Sequence, residues 1–492
     1  MKKKILCLVL VFCFSFTFVA CKKKDNLEKQ AENLTSYEIS VDLNVETKTA
    51  TASQTVYYVN SSEDALKQIK FHLYPNFFEE GFLDYVVPHN KLNEAYKNGI
   101  NYGNFDVSQV KVNKENSQIN YEGEAEGILC VNLNNALLPE DVVQIDIDFS
   151  FTLPNCEHRY GYGNDTINLA NFYPVACVYE NGAFETSPYH SNGDPFYSEI
   201  ANYKVDITLN KKYVVASCGE KLNEEGVNDN KTVTYQANVV RDFAMVISDK
   251  FSIINEKVGG TEVNYYYYKD NYPESSLKAG VDAVKTFSDF YGEYPYKTLA
   301  ICQNDFVYGG MEYPTLIMIS DDIEDADDYK NVIIHETAHQ WWYGMVGNNE
   351  FVYPWLDESI TEFSTLLFYK HNDGYNLTYD EMIKALKSNY HLFYTVYSDV
   401  LGTLDTSMRA VNEYQTEPEY VYATYVKGVL MYDSLYDLVG EKKFLASLKD
   451  YFNENKFKIA TPDDLYNAFS KNCDKEVSKF FSSWVDGKVI IR

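Results

Sequence analysis

His335 and His339 stand four residues apart in the run Asn331-Val-Ile-Ile-His335-Glu336-Thr-Ala-His339. On a helix that spacing puts both imidazoles on one face, where they can grip a single metal ion. Glu336 sits beside the first histidine and reaches the same cavity without being a ligand. Catalytic zinc sites use three protein ligands and keep one position for water, so a third ligand must come from elsewhere. Glu358, next to the apolar pair Trp355-Leu356, is the candidate. His-Glu-x-x-His arises by chance often enough to be only suggestive alone, and the flanking residues strengthen it. Val332, Ile333 and Ile334 give the helix an apolar side, and Asp325, Asp327 and Asp328 lie where carboxylates favour the positive end of a helix dipole.

The elements that must position these groups follow from the rest of the chain. Its 492 residues leave room for about two to four domains, and 45% hydrophobic content fits a globular protein. A net charge of −29 excludes nucleic acid as the expected partner, because a phosphate backbone would be repelled. The N-terminus reads as a targeting segment. Lys2–Lys4 is a positive start, and the apolar run from Ile5 to Ala20 is short for a bilayer span. Val19-Ala20-Cys21 then leads into Lys22–Lys24, which resembles the lipobox of bacterial lipoproteins, with Phe18 where that motif usually has leucine. The expectation is a signal peptide over 1–20 and a tether over 21–36 lipidated at Cys21. An ordinary cleaved signal peptide and a retained anchor are the alternatives. All three put the folded part outside the cytoplasm, and the first attaches it to the extracytoplasmic face of the cell membrane. Besides Cys7, Cys13 and Cys21 there are six cysteines; they form no C-x-x-C pair, which disfavours a cysteine-bound zinc and leaves disulfides and single buried thiols both open.

From Tyr37 onward apolar residues alternate with polar ones, as in half-buried strands: Tyr37/Ile39/Val41/Leu43, Ile69/Phe71/Leu73, Val143/Ile145/Ile147/Phe149 and Tyr203/Val205/Ile207/Leu209. Residues 37–250 are expected to be an antiparallel all-β domain. The pattern changes near Pro273. Ser276 is expected to cap a helix with Val281, Val284, Phe287 and Tyr291 on one face. Leu299–Cys302 and Leu316–Ile319 read as short strands, and Tyr425–Leu438 and Glu441–Phe452 as helices. Thr461-Pro462 places a cap before a first-turn proline. Residues 251–492 are therefore read as a mainly helical domain with a small edge sheet, making the whole a multidomain α+β chain.

Gly309-Gly310-Met311-Glu312-Tyr313, then His335-Glu336-x-x-His339, then Glu358, then Tyr425-Val-Lys427-Gly428 resembles, in that order, the gluzincin aminopeptidase family, which includes aminopeptidase N and leukotriene hydrolase. The likeness spans the second domain through Phe480-Phe481…Trp484 and more faintly the first. It implies a thermolysin-like catalytic domain and one Zn2+ per chain, bound by His335, His339 and Glu358. It implies Glu336 as general base on a zinc-bound water and Tyr425 as hydrogen-bond donor to the oxyanion. Gly309, Gly310, Met311 and Glu312 would hold the substrate, with Glu312 on the free α-amine and the glycine backbone beside the peptide like an added strand. The implied partners are peptides with a free N-terminus.

The chain departs from the family pattern in several places. Tyr313 stands where asparagine is usual, and Asp357-Glu358-Ser359 replaces Asn-Glu-Gly. Around Asn171-Phe-Tyr173-Pro174 the first domain shows neither the glutamine nor the glutamate that many members use on the amine. Either Glu312 acts alone or another β-domain residue helps; Glu180 and Glu185 are spare carboxylates there. His190 lies in Tyr189-His-Ser-Asn-Gly-Asp194, a turn expected on the cleft side. A chain ending with its catalytic domain is expected to leave an open cleft that accepts longer peptides. Zinc endoproteolysis, and a peptide-binding lipoprotein with little catalysis, remain alternatives.

Overall fold

The computed structural model describes residues 26–396, 406–473 and 476–491. The expected signal peptide and Cys21 lie outside the described residues. Among those described, no helix is long and apolar enough to cross a membrane. Part of the expected tether is docked rather than free. A short helix, Asn26–Gln30, sets Leu27 against the core, and the Ala31 carbonyl accepts a hydrogen bond from Asn202 Nδ2 at 2.9 Å.

The first half is β-structure. Its largest sheet has eight strands, centred on Ser36–Asn44 between Ala201–Asn210 and Thr49–Val59. Tyr37, Ile39, Val41 and Leu43 are buried, while Ser40 and Asp42 face a polar groove on the other side. Each buried large apolar side chain contributes roughly 1.5–3 kcal/mol, which is why the period-two pattern sets strand register. The pairing is antiparallel with one exception. Ser36–Asn44 and Ala201–Asn210 run parallel, which the long connection between them permits. Two four-stranded sheets and a hairpin complete this half.

The second half opens with a five-stranded sheet whose strands lie in the order Ser252–Val258, Thr261–Tyr267, Thr298–Asn304, Leu316–Ser320 and Gly310–Met311. The last of these is an edge strand. Helix α1 (Pro273–Phe290) buries Val281, Val284 and Phe287 as expected, but starts earlier than the pattern suggested. Ser276 lies in its first turn and bonds Asp270 Oδ2 at 2.6 Å instead of capping the helix. Helix α2 (Ala326–Ala338) is capped by Asp325, whose carboxylate accepts from the amides of Asp327 and Asp328. Helix α3 (Trp355–His371) is buried along nearly its whole length. Helix α4 (Lys427–Val439) is preceded by a π-helical turn over Tyr422–Val426, so Tyr425 sits just before the α-helix that its pattern predicted. Glu441–Asn455 and Pro462–Asn472 form the remaining predicted helices, the second capped by Thr461.

The halves meet at Arg241 and Asp242. Buried Arg241 donates to the carbonyls of Ser198, Tyr343 and Lys458, and the Tyr343 hydroxyl donates to Asp242 Oδ2. The six cysteines described are all free and buried, and burial pushes five of the thiols up.

Candidate active site

Helix α2 carries His335 and Glu336, and His339 closes its C-terminal end. The two Nε2 atoms lie 3.2 Å apart. Oε2 of Glu358, from the first turn of α3, is 3.2 Å from His339 Nε2 and 3.5 Å from His335 Nε2. Tetrahedral zinc with ligand bonds near 2.0–2.1 Å sets its ligand atoms about 3.3 Å apart, so these three spacings fit that ion. Glu358 Oε2 is buried and has no hydrogen-bond partner among the described residues. Two imidazoles with a hard carboxylate and no thiolate are a zinc-type donor set. His339 Nδ1 faces the Trp342 carbonyl at 2.9 Å and Thr361 Oγ1 at 3.2 Å, which leaves Nε2 for the metal. Burial alone would lower both histidines. The carboxylates of Glu312 and Glu358 outweigh it for His339, raising it to about 10, and those of Glu358 and Glu362 hold His335 well above the usual range. The cluster thus favours positive charge, and a cation can take the place of the protons.

Glu336 is buried beside this cluster and its Oε2 has no hydrogen-bond partner among the described residues. Burial pushes its carboxyl up to about 7, against the pull of His335 and His339. A Cβ on Gly310 would stand 2.4 Å from Glu336 Oε1, so the edge strand passes the carboxylate only because Gly310 has no side chain. Gly309 is not so confined; the nearest atom to a Cβ there would be Val332 Cγ2 at 3.7 Å.

Gln340, next to the second histidine, ties the edge strand to α2. Its Nε2 donates to the Tyr313 carbonyl at 3.1 Å and its Oε1 accepts the Thr315 amide at 2.7 Å. This bracket sets Glu312, which is buried at 3% exposure, its Oε1 without a hydrogen-bond partner among the described residues. Burial raises Glu312 well above the carboxylate range, and Asp194 raises it further. Asp194 comes from the β-domain. Oxygens of Asp194, Glu312 and Glu358 lie within 4.8 Å of one another. Arg159 Nη2 donates to Asp194 Oδ1, while Arg159 Nε meets Met311 Sδ at 2.8 Å. Met311 is thereby buried under Arg159, whereas Gly309, Gly310 and Glu312 line the cavity.

Tyr425 lines the cavity opposite, its ring 6.3 Å from that of His335. Its position depends on close packing of two helices. A Cβ on Gly428 would lie 2.0 Å from Ser359 Oγ, and Ser359 Oγ donates to the Thr424 carbonyl at 2.6 Å. Ser359 at the usual glycine position is accommodated in this way. Tyr420, also on the wall, is buried, its hydroxyl without a hydrogen-bond partner among the described residues, and packs edge-on to Tyr425 at 5.9 Å.

The cavity has a volume of about 320 Å³. The β-domain walls one end through Arg159, Ser191, Gly193 and Asp194, and Asn90 and Lys91 reach across to Glu417. Gly309 and Val421 are exposed at the other end. The cleft is therefore closed at the Glu312 end and open along the edge strand, narrower than an uncovered cleft. Asn171, Phe172, Tyr173 and Pro174 are buried and do not reach it, and neither do Glu180, Glu185 or His190. Tyr313 is buried against Phe196. The turn that drew attention through His190 contributes Asp194 instead. The sequence assigns no role to Asp194, Arg159, Tyr420 or Glu362, because nothing in their spacing ties them to the histidines.

Residues 276–484 match the profile of the Peptidase family M1 domain. Aminopeptidase N of Lactobacillus delbrueckii subsp. lactis is 25% identical over 300 residues, which is 56% of this chain and 34% of that protein. Probable aminopeptidase 1 of Saccharolobus solfataricus is 28% identical over 218 residues, 40% of this chain and 26% of that one. The matches thus span about a third or less of these curated relatives. An M1 zinc metallopeptidase from Deinococcus radiodurans has the same fold, with a TM-score of 0.66 at 16% identity over 93% of this chain and 95% of that chain.

Proposed function

We propose that this chain, a gluzincin of the M1 peptidase family, is a zinc-dependent aminopeptidase. The observation that carries the reading is the pairing of the buried carboxylate of Glu312 with the half-buried one of Asp194 at the closed end of the cavity that holds the His335–His339–Glu358 cluster. Two carboxylates there suit an α-ammonium and count the substrate from its N-terminus. Zinc, when held by His335, His339 and Glu358, supplies a Lewis acid for the scissile carbonyl and for water. Glu336 takes the proton of the attacking water and returns it to the leaving amine, a task suited to a carboxyl pushed up to about 7 by burial. Tyr425 donates a hydrogen bond to the oxyanion as it forms. The peptide beyond the scissile bond pairs with the free edge of Gly310–Met311 and leaves past Gly309. The solved Deinococcus radiodurans protein has a mutant form bound to a Tyr-Ser-Ala substrate, which supports a peptide ligand for this fold.

The leader and Cys21 support a second part of the reading: the mature chain is a lipoprotein held on the extracytoplasmic face of the cell membrane. Fatty-acid labelling lost in Cys21→Ser is the expected result, and labelling that persists overturns it.

The test of activity is a panel of aminoacyl chromogenic amides, each with a free and an acetylated α-amine, assayed with and without chelator. Cleavage of the free-amine forms alone is expected. It should be abolished by chelator and reduced about 10²–10⁴-fold in Glu336→Gln. Cleavage of the acetylated forms would make the enzyme an endopeptidase.

A further inference from the structure

The segment that joins Cys21 to the fold is docked where the two halves meet. In the short helix Asn26–Gln30, Leu27 packs against the core. It lines one hollow with Gln236 and Asn238 of the β-domain and an adjoining one with Tyr294 and Pro295 of the catalytic domain. The chain beyond it is pinned as well. Asn202 Nδ2 donates to the Ala31 carbonyl at 2.9 Å, the Asn202 amide donates to the Thr35 carbonyl at 3.0 Å, and Thr35 Oγ1 accepts the Val59 amide at 3.2 Å. Thr298 and Thr315 wall the first hollow, so Leu27 sits at the end of the five-stranded sheet where Thr298–Asn304 and Leu316–Ser320 begin. The mouth of the cleft lies where those strands finish, since the Ser320 amide donates to the Gly309 carbonyl at 2.9 Å. The length of Thr298–Asn304 separates the two ends by about 20 Å.

We propose that the chain presents this seam face to the membrane and turns the mouth of its cleft away from the lipid, resting on the reading of Cys21 as the lipidated residue. Only residues 21–25 lie between the lipid and the helix, and fully extended they reach at most about 18 Å. A folded chain of this length has a radius of gyration of about 23 Å, so a link that short does not let it roll over. A free tether over 21–36 would reach about 58 Å and leave every orientation open. The docking of Leu27 and Ala31 removes that freedom. Peptides then enter the cleft from the solution side, and the Glu312 end lies nearer the lipid.

The experiment puts one fluorescent donor on the lipidated full-length chain in phosphatidylcholine vesicles and reads energy transfer to a dye on the lipid headgroups. The labelled variants are Glu293→Cys, exposed beside Leu27, and Glu324→Cys, exposed just past Ser320. The six native thiols described are buried and do not take the label. Transfer should be strong from position 293 and at least about 5-fold weaker from position 324, given about 20 Å of strand between the two ends. A flexible insert of about 20 Gly and Ser residues after Asp25 should bring the two signals within about 2-fold, because a link of that reach lets the body turn. Equal transfer without the insert, or stronger transfer from position 324, overturns the orientation and leaves the lipid anchor standing. A difference that persists with the insert overturns the short link as its cause. A chain that carries no acyl group and stays off the vesicles overturns the lipid reading, and this proposal with it.

Discussion

At the scale of single residues, the closed end of the cavity decides what the enzyme accepts. Asp194 Oδ1 is occupied by Arg159, and the carboxylate stands within 4.8 Å of oxygens of Glu312 and Glu358. Asp194→Asn keeps an acceptor for Arg159 and removes the negative charge. A hydrogen bond to a charged group is worth about 1.5–3 kcal/mol, so kcat/KM for free-amine substrates should fall about 10- to 100-fold. Any slow turnover of acetylated substrates should change little. Steady-state kinetics on matched pairs of amides checks this, and an equal fall for both classes would make Asp194 a structural residue. The metal cluster was legible in the sequence because its spacing is local: one helix turn joins His335 to His339. Asp194 was not legible because its role depends on a β-domain loop pressed against the other half. Gly193 must lack a side chain there, since a Cβ would stand 2.6 Å from the Tyr420 hydroxyl.

At the scale of elements, the two glycines ahead of Glu312 have different work. The sequence reading gave both the same role beside the bound peptide. Only Gly310 is confined, by Glu336 behind it, while Gly309 has ordinary room. Gly310→Ala should push the general base out of place and lower kcat at least about 100-fold, by the size of general-base catalysis. Gly309→Ala should stay within about 3-fold of wild type, as an edge-strand residue with open space. Comparable losses in both variants would mean that the strand backbone matters more than the room for Glu336. The same logic explains why Tyr425-Val-Lys427-Gly428 could be read as a motif but not as a structure. Gly428 lets α4 approach Ser359 of α3, and the extra residue of a π turn aims Tyr425. Helical periodicity in the sequence cannot show where a turn widens. Strand alternation in the first half was easier to read in strands such as Ser36–Asn44, Val142–Thr152 and Ala201–Asn210, because one face of each is wetter than the other. The parallel pair at its centre was hidden, because pairing direction depends on partners distant in sequence.

At the scale of the whole molecule, the cavity exists only while the two halves stay docked, and the joint is polar and buried. Arg241 fills a gap that only Gly347 leaves open, since a Cβ there would stand 2.0 Å from Arg241 Cζ. Its neighbour Asp242 is fully enclosed and accepts from Tyr343 and Asn171. Burial pushes Asp242 from its ordinary 3.8 up to about 6, the hydrogen bonds from Tyr343 and Asn171 and the charge of Arg241 opposing this only in part. A carboxyl raised in the fold contributes its stability when neutral. That contribution is complete below the unfolded value and is lost as pH rises through the folded one. The shift corresponds to about 3 kcal/mol, withdrawn between about pH 4 and pH 6. Asp242→Asn can still accept from Tyr343 but cannot ionise. Urea unfolding at pH 4 and pH 7.5 should therefore show the variant gaining about 3 kcal/mol relative to wild type across that interval. If the difference between the two proteins is the same at both pH values, Asp242 is ionised in the fold. The joint would then be held by a charge pair with Arg241, and docking of the β-domain over Glu312 would not weaken toward neutral pH.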